Sequence, residues 1–143
     1  MAIEDTLAGT ELFEELPKTD LARLASVTVV RNFKKGYVVV REGEIGVAFY
    51  LIGKGSVEVV KGLGTPQEHV IATLGPGSFF GEMALFDNHV RSASIRALED
   101  SEFLVLTRWD FNAELTASNC RIATTMLAVL SRRIRALTDA ATH

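Results

Sequence analysis

The chain has 143 residues, 48% of them hydrophobic, and a net charge of −3, which suits one domain with a real core and leaves little room for a second. No run approaches the roughly 18 apolar residues of a membrane span, and the start, M-A-I-E-D-T, lacks the features of a signal peptide. The acidic balance argues against a general affinity for nucleic acid or anionic membrane, and a single cysteine, Cys120, fits a reducing, cytoplasmic setting.

Residues 1–26 form the predicted N-terminal helical segment. Ile3 to Ala25 read as short amphipathic pieces broken at Pro17, with Thr19 or Asp20 as the cap of the second. Leu12, Phe13, Leu16, Leu21 and Leu24 would cover the end of a sheet. From Val27 the periodicity changes to short runs rich in β-branched and aromatic residues. Strands are predicted at 27–30, 37–40, 48–52, 56–60, 69–74, 93–98 and 101–107, separated by glycine-rich turns such as Gly53-Lys54-Gly55 and Gly75-Pro76-Gly77. Short strands at this spacing argue for an antiparallel sandwich or barrel over residues 27–107 rather than βαβ units.

The last part, 108–143, turns helical again, with a short helix from Trp109 to Leu115 and a long one from Asn119 to about Ala141. In the long helix Cys120, Ala123, Leu127, Leu130, Ile134, Leu137 and Ala141 are spaced three and four apart, the seam of a coiled coil. Ile122, Met126 and Val129 widen the apolar face. One side is therefore expected on the barrel and the seam against a second copy. Arg132, Arg133 and Arg135 make a basic patch, read as a solvated face with lid or partner contact as the sharper options. Trp109 reads as packing.

Between two strands lies F-F-G-E-M-A-L-F-D-N-H-V-R-S-A-S, residues 79–94. A glycine, a carboxylate and one predicted helical turn are followed by a polar loop and an arginine beside a hydroxyl. A helix start with unpaired N–H groups suits an anion, and an arginine returning to it adds a planar donor fork for phosphate oxygens. A carboxylate next to that anion has to bind something else, and a sugar hydroxyl is the obvious target. Phosphate plus sugar describes a nucleotide monophosphate.

This stretch resembles the phosphate-binding cassette of the cyclic nucleotide-binding domain, found in the catabolite activator protein, protein kinase A regulatory subunits and cyclic-nucleotide-gated channels. R-E-G-E at 41–44, Y-L-I-G-K-G-S-V-E-V at 50–59 and the long closing helix agree with it. The resemblance implies one domain over 1–143, mainly β with flanking helices: an antiparallel, jelly-roll-like β-roll ending in a long helix. It also implies roles. Glu82 would accept the ribose 2′-hydroxyl, Arg91 would neutralise the cyclic phosphate with Ser92 beside it, and Gly81, Ala84 and Leu85 would offer backbone N–H groups. Met83 stands in the cassette where leucine is commoner, Ala93 closes it, and Val90 replaces a frequent proline. Arg135, Leu137 and Thr138 are the candidates to cap the base. The implied ligand is cAMP, with cGMP also admitted, and the implied partner is a separate effector protein, since the chain stops before any helix-turn-helix and direct DNA reading is not expected.

Other constellations fall away. His69, His89 and His143 have no metal-ligand spacing, no P-loop or G-x-G-x-x-G is present, and no acid/base or nucleophile set emerges. No enzyme and no metal are expected. The rival reading is a β-roll interaction or dimerisation module whose pocket takes another ligand or none.

Overall fold

The structure, a computed structural model, describes residues 3–85, 90–118 and 121–142, apart from the side chains of residues 83, 141 and 142. The loop residues Asp87, Asn88 and His89, the predicted helix start at Asn119 and Cys120, and His143 lie outside the described residues, as do the side chains of Met83 and Ala141.

Two short helices open the chain, α1 (Ile3–Ala8) and α2 (Lys18–Val27). Among the described residues eight strands follow: β1 (Val29–Phe33), β2 (Val38–Val40), β3 (Ala48–Lys54), β4 (Val57–Lys61), β5 (His69–Leu74), β6 (Phe79–Phe80), β7 (Ser94–Ala97) and β8 (Ser101–Thr107). A 3₁₀ helix (Glu82–Leu85) lies between β6 and β7, and α3 (Arg108–Ala117) and α4 (Arg121–Thr142) close the chain. The strands form two four-stranded sheets, β1-β8-β3-β6 and β2-β7-β4-β5, with every pairing antiparallel. The predicted antiparallel β-roll with flanking helices is the fold observed.

The core follows the two-residue period of β3 and β8. Ala48, Ile52, Phe103 and Val105 face Val57 and Ile95 of the other sheet, while Phe49, Leu51, Leu104 and Leu106 face the helices. Both strands are buried on both faces, which is why A-F-Y-L-I and F-L-V-L read as unbroken apolar runs. Leu12, Phe13, Leu16, Leu21 and Leu24 pack on that second set together with Ile122 and Met126, so the N-terminal segment covers the face of the first sheet rather than its end.

Several boundaries differ from the sequence reading. Val27 closes α2 instead of opening a strand, because the Thr28 hydroxyl donates to the Leu24 carbonyl at 2.7 Å and finishes the last turn. Phe79 and Phe80 form a strand, pairing with Leu51 and Tyr50. Pro17 occupies the N-cap of α2 without a side-chain cap bond, and Asp20 is no cap at all. Its fully buried carboxylate instead takes both Nε (2.8 Å) and Nη2 (2.6 Å) of Arg121 at the start of α4, and these bonds hold it below the usual aspartate range. Trp109 is 62% exposed under the Arg108 guanidinium rather than packed, because Phe111 is the residue of α3 that turns inward.

On α4 the buried stripe is Ile122, Met126 and Val129, whereas Leu127, Ile134 and Leu137 are 59%, 64% and 72% exposed. The helix thus lays its widening residues on the core, with Leu130 of the predicted seam packed against the same cluster, and leaves Leu127, Ile134 and Leu137 of that seam outward. Further along, Arg132 pairs with Glu15, Arg133 with Glu11 at 3.5 Å, and the Arg133 guanidinium lies 5.9 Å over the Phe79 ring.

Candidate functional site

The cassette hangs between β6 and β7, and its anchor at each end is a sheet. β6 is held to β3 by backbone pairing and by Phe80 stacked on Tyr50, with centroids 4.9 Å apart and planes 11° from parallel. Gly81 then turns with φ +80, a conformation that glycine adopts without steric cost. The one-turn element that follows is a 3₁₀ helix of four residues, not an α-helical turn: the Ala84 N–H donates to the Gly81 carbonyl at 3.0 Å. So short an element carries little macrodipole, and positive charge at the site has to come from a side chain.

That side chain is Arg91. Its backbone is fixed from outside the two sheets: Arg91 N–H donates to the Glu44 carbonyl (2.7 Å), Gly43 N–H donates to the Arg91 carbonyl (2.9 Å), and Val90 bridges Ile45. The loop R-E-G-E-I-G therefore behaves as a short extra strand beside the cassette. Arg91 Nη2 donates to the Ala48 carbonyl at 2.8 Å, and the guanidinium lies against two glycines. A Cβ at Gly46 would sit 2.5 Å from Nε and 2.6 Å from Cζ, and one at Gly81 would strike Nη1 and come within 2.7 Å of the Ala48 oxygen. Partial burial lowers the Arg91 pKa from its ordinary value, while Tyr50 and Glu82 pull it back up. The guanidinium remains a cation at neutral pH.

Gly81, Glu82, Ala84, Arg91, Ser92 and Ala93 line one pocket with a volume of about 240 Å³, floored by Val40, Val59, Phe80 and Ile95. Six of the eleven predicted site residues thus meet in one place. Leu85 is buried in the helical core cluster rather than facing the pocket, and the Ala84 N–H is already engaged by Gly81. The Met83 side chain lies outside the described residues. Arg135, Leu137 and Thr138 are exposed on α4, and none of them lines the pocket. Sequence reasoning missed Gly46 and the Ala48 carbonyl, which are distant in the chain from the cassette. R-E-G-E at 41–44 was visible, but not that Gly46, two residues beyond it, makes room for Arg91.

Among the described residues, no group of three or more His, Cys, Asp or Glu side chains is placed to hold a metal ion, and no helix is long and apolar enough to cross a membrane.

Residues 30–118 match the family model described as the cyclic nucleotide-binding domain. The chain is 36% identical over 129 residues to a cyclic AMP receptor protein of Thermus thermophilus, covering 90% of this chain and 59% of that protein. It is 39% identical over 108 residues to human cGMP-dependent protein kinase 2, covering 74% of this chain and 14% of the kinase. The chain therefore spans only part of these relatives. Its fold is similar to the crystal structure of the N-terminal domain of a transcriptional regulator from Streptomyces coelicolor, with a TM-score of 0.86, 28% identity, and coverage of 96% and 95% of the two chains.

Proposed function

We propose, since this chain belongs to the cyclic nucleotide-binding domain family, that it is a regulatory receptor for a cyclic nucleotide, cAMP in the first place and cGMP in the second. One observation carries the reading: Arg91, Glu82 and Ser92 line one pocket together with Gly81 and Ala93. In this reading Arg91 balances the single charge of the cyclic diester, Glu82 accepts the ribose 2′-hydroxyl, and Ser92 hydrogen-bonds the phosphate beside Arg91. Gly81, which has no side chain, allows the close backbone approach. The apolar floor excludes water and strengthens these contacts.

The pocket is smaller than the roughly 300–1,000 Å³ typical of ligand cavities, so the base extends beyond it. Capping that base is the role proposed for Arg135, Leu137 and Thr138, which requires α4 to move toward the cassette. Two contacts support such coupling. Leu85 shares a core cluster with Ile122 and Met126 of α4, and Arg133 lies over Phe79, next to the pocket residue Phe80. Nucleotide shifts the equilibrium between two placements of α4 by its differential affinity for them. The readout is the surface α4 presents, either to a separate effector protein or, through Leu127, Ile134 and Leu137, to a second copy. This is a binding role in the cytoplasm, with no chemical step.

Calorimetry with cAMP and cGMP tests the reading. Wild type is expected to bind, and Arg91→Ala to bind at least an order of magnitude more weakly with its fold intact. Heat from neither nucleotide would refute the proposal and favour a β-roll interaction module.

A further inference from the structure

A polar bracket outside the pocket reaches the cassette from behind. Glu42 follows β2, Lys61 ends β4 and Gly62 comes next. Glu42 Oε1 accepts the Gly62 N–H at 3.0 Å, and Oε2 lies 3.4 Å from Lys61 Nζ. The Gly62 N–H foremost, then Lys61, holds the Glu42 carboxyl below the usual glutamate range. Lys61 Nζ in turn donates to the Ser92 carbonyl at 2.5 Å, and the Glu42 N–H donates to Ser94 Oγ at 2.9 Å. Neither Glu42 nor Lys61 lines the pocket, whereas Ser92 and Ala93 do.

A trans peptide points its N–H opposite to its C=O. With the Ser92 carbonyl turned to an ammonium outside the pocket, the N–H of the same peptide, which belongs to Ala93, is directed the other way. A cation on the carbonyl also polarises that peptide and makes its N–H a stronger donor. We propose that Lys61, steered by Glu42, is a positioning residue for the ligand: it orients the Ser92–Ala93 peptide so that the Ala93 N–H donates to an anionic oxygen bound beside Arg91. The inference rests on the receptor reading above and names a residue of that site lying outside the cassette. The Lys61–Glu42 pair is 43% and 37% exposed, and such pairs add little to fold stability. Its effect is therefore expected in ligand geometry rather than in folding.

The test uses Lys61→Met, which keeps the stem and removes the charge, with Lys61→Arg as the conservative variant. Three quantities are read: the affinity for cAMP, the affinity ratio of the two phosphorothioate diastereomers of cAMP, and the Ala93 amide resonance without nucleotide. Sulfur replaces one exocyclic oxygen or the other in the two diastereomers, so their ratio reports which donors face which oxygen. Lys61→Met is expected to weaken cAMP by about fivefold to tenfold, change the ratio by about threefold or more, and move the Ala93 resonance, with melting temperature unchanged. Lys61→Arg is expected to restore the ratio. An unchanged ratio with an unmoved Ala93 resonance overturns the inference, whatever happens to affinity. If wild type binds no cyclic nucleotide, the receptor reading fails by itself. The Ala93 amide then decides the orientation alone, and a resonance indifferent to Lys61→Met overturns it.

Discussion

Replacing Gly46 by alanine isolates what the seat of Arg91 contributes. The backbone at Gly46 is not in the left-handed region, so alanine adds no backbone strain, and its entropic effect is about 0.4–1 kcal/mol in favour of folding. The new Cβ, however, would lie 2.5 Å from Arg91 Nε and 2.6 Å from Cζ, about 1 Å inside ordinary contact distance. The atoms it meets belong to the end of a flexible side chain, so the guanidinium gives way while the fold stays. Moving it by about 1 Å breaks the bond to the Ala48 carbonyl and misaligns a charge-assisted contact of roughly 1.5–3 kcal/mol. That is about a 10- to 150-fold loss of cyclic nucleotide affinity at 1.36 kcal/mol per tenfold. Calorimetry gives the affinity, and thermal unfolding is expected to show a midpoint within a few degrees of wild type. If Gly46→Ala binds as wild type does, the phosphate is not held by Arg91 from this seat. If it unfolds, the space at Gly46 serves the backbone instead.

Two further outcomes follow from the helical layer. Asp20→Asn removes the buried charge, and one of the two acceptor oxygens, that Arg121 pairs with, and is expected to lower the melting temperature on the order of 5 °C at neutral pH. Because the Asp20 pKa is depressed in the folded chain, its stabilisation is present above the ordinary carboxylate value and is lost as pH falls through the depressed one. The variant should therefore show a flatter acid limb in denaturant unfolding, and an unaltered pH profile would refute the role given to the pair. Ile134→Glu charges the exposed seam of α4. If two copies associate there, light scattering should show a dimer for wild type and a monomer for the variant, and a monomer for both rejects the seam as a dimer contact.

Local pattern carried most of the fold. The short β-branched and aromatic runs at 48–52 and 101–107 and the glycines between strands located the sheets because strand propensity and turn chemistry are set within a few residues. The cassette was legible for the same reason: Gly81, Glu82, Arg91 and Ser92 fall within twelve positions, and their chemistry alone asks for a phosphate and a hydroxyl. Distance along the chain hid the rest. Asp20 and Arg121 are 101 residues apart, and nothing near Asp20 distinguishes a helix cap from a buried ion-pair partner. The apolar spacing of α4 could not say which stripe meets the core, because two overlapping stripes satisfy the same helical period. Only packing decided that Ile122, Met126 and Val129 go inward and Leu127, Ile134 and Leu137 outward. The Arg91 seat needed the tertiary structure most of all. Gly46, Ala48 and Gly81 come from a loop, a strand and a turn, and the space they leave for one guanidinium exists only after both sheets have formed.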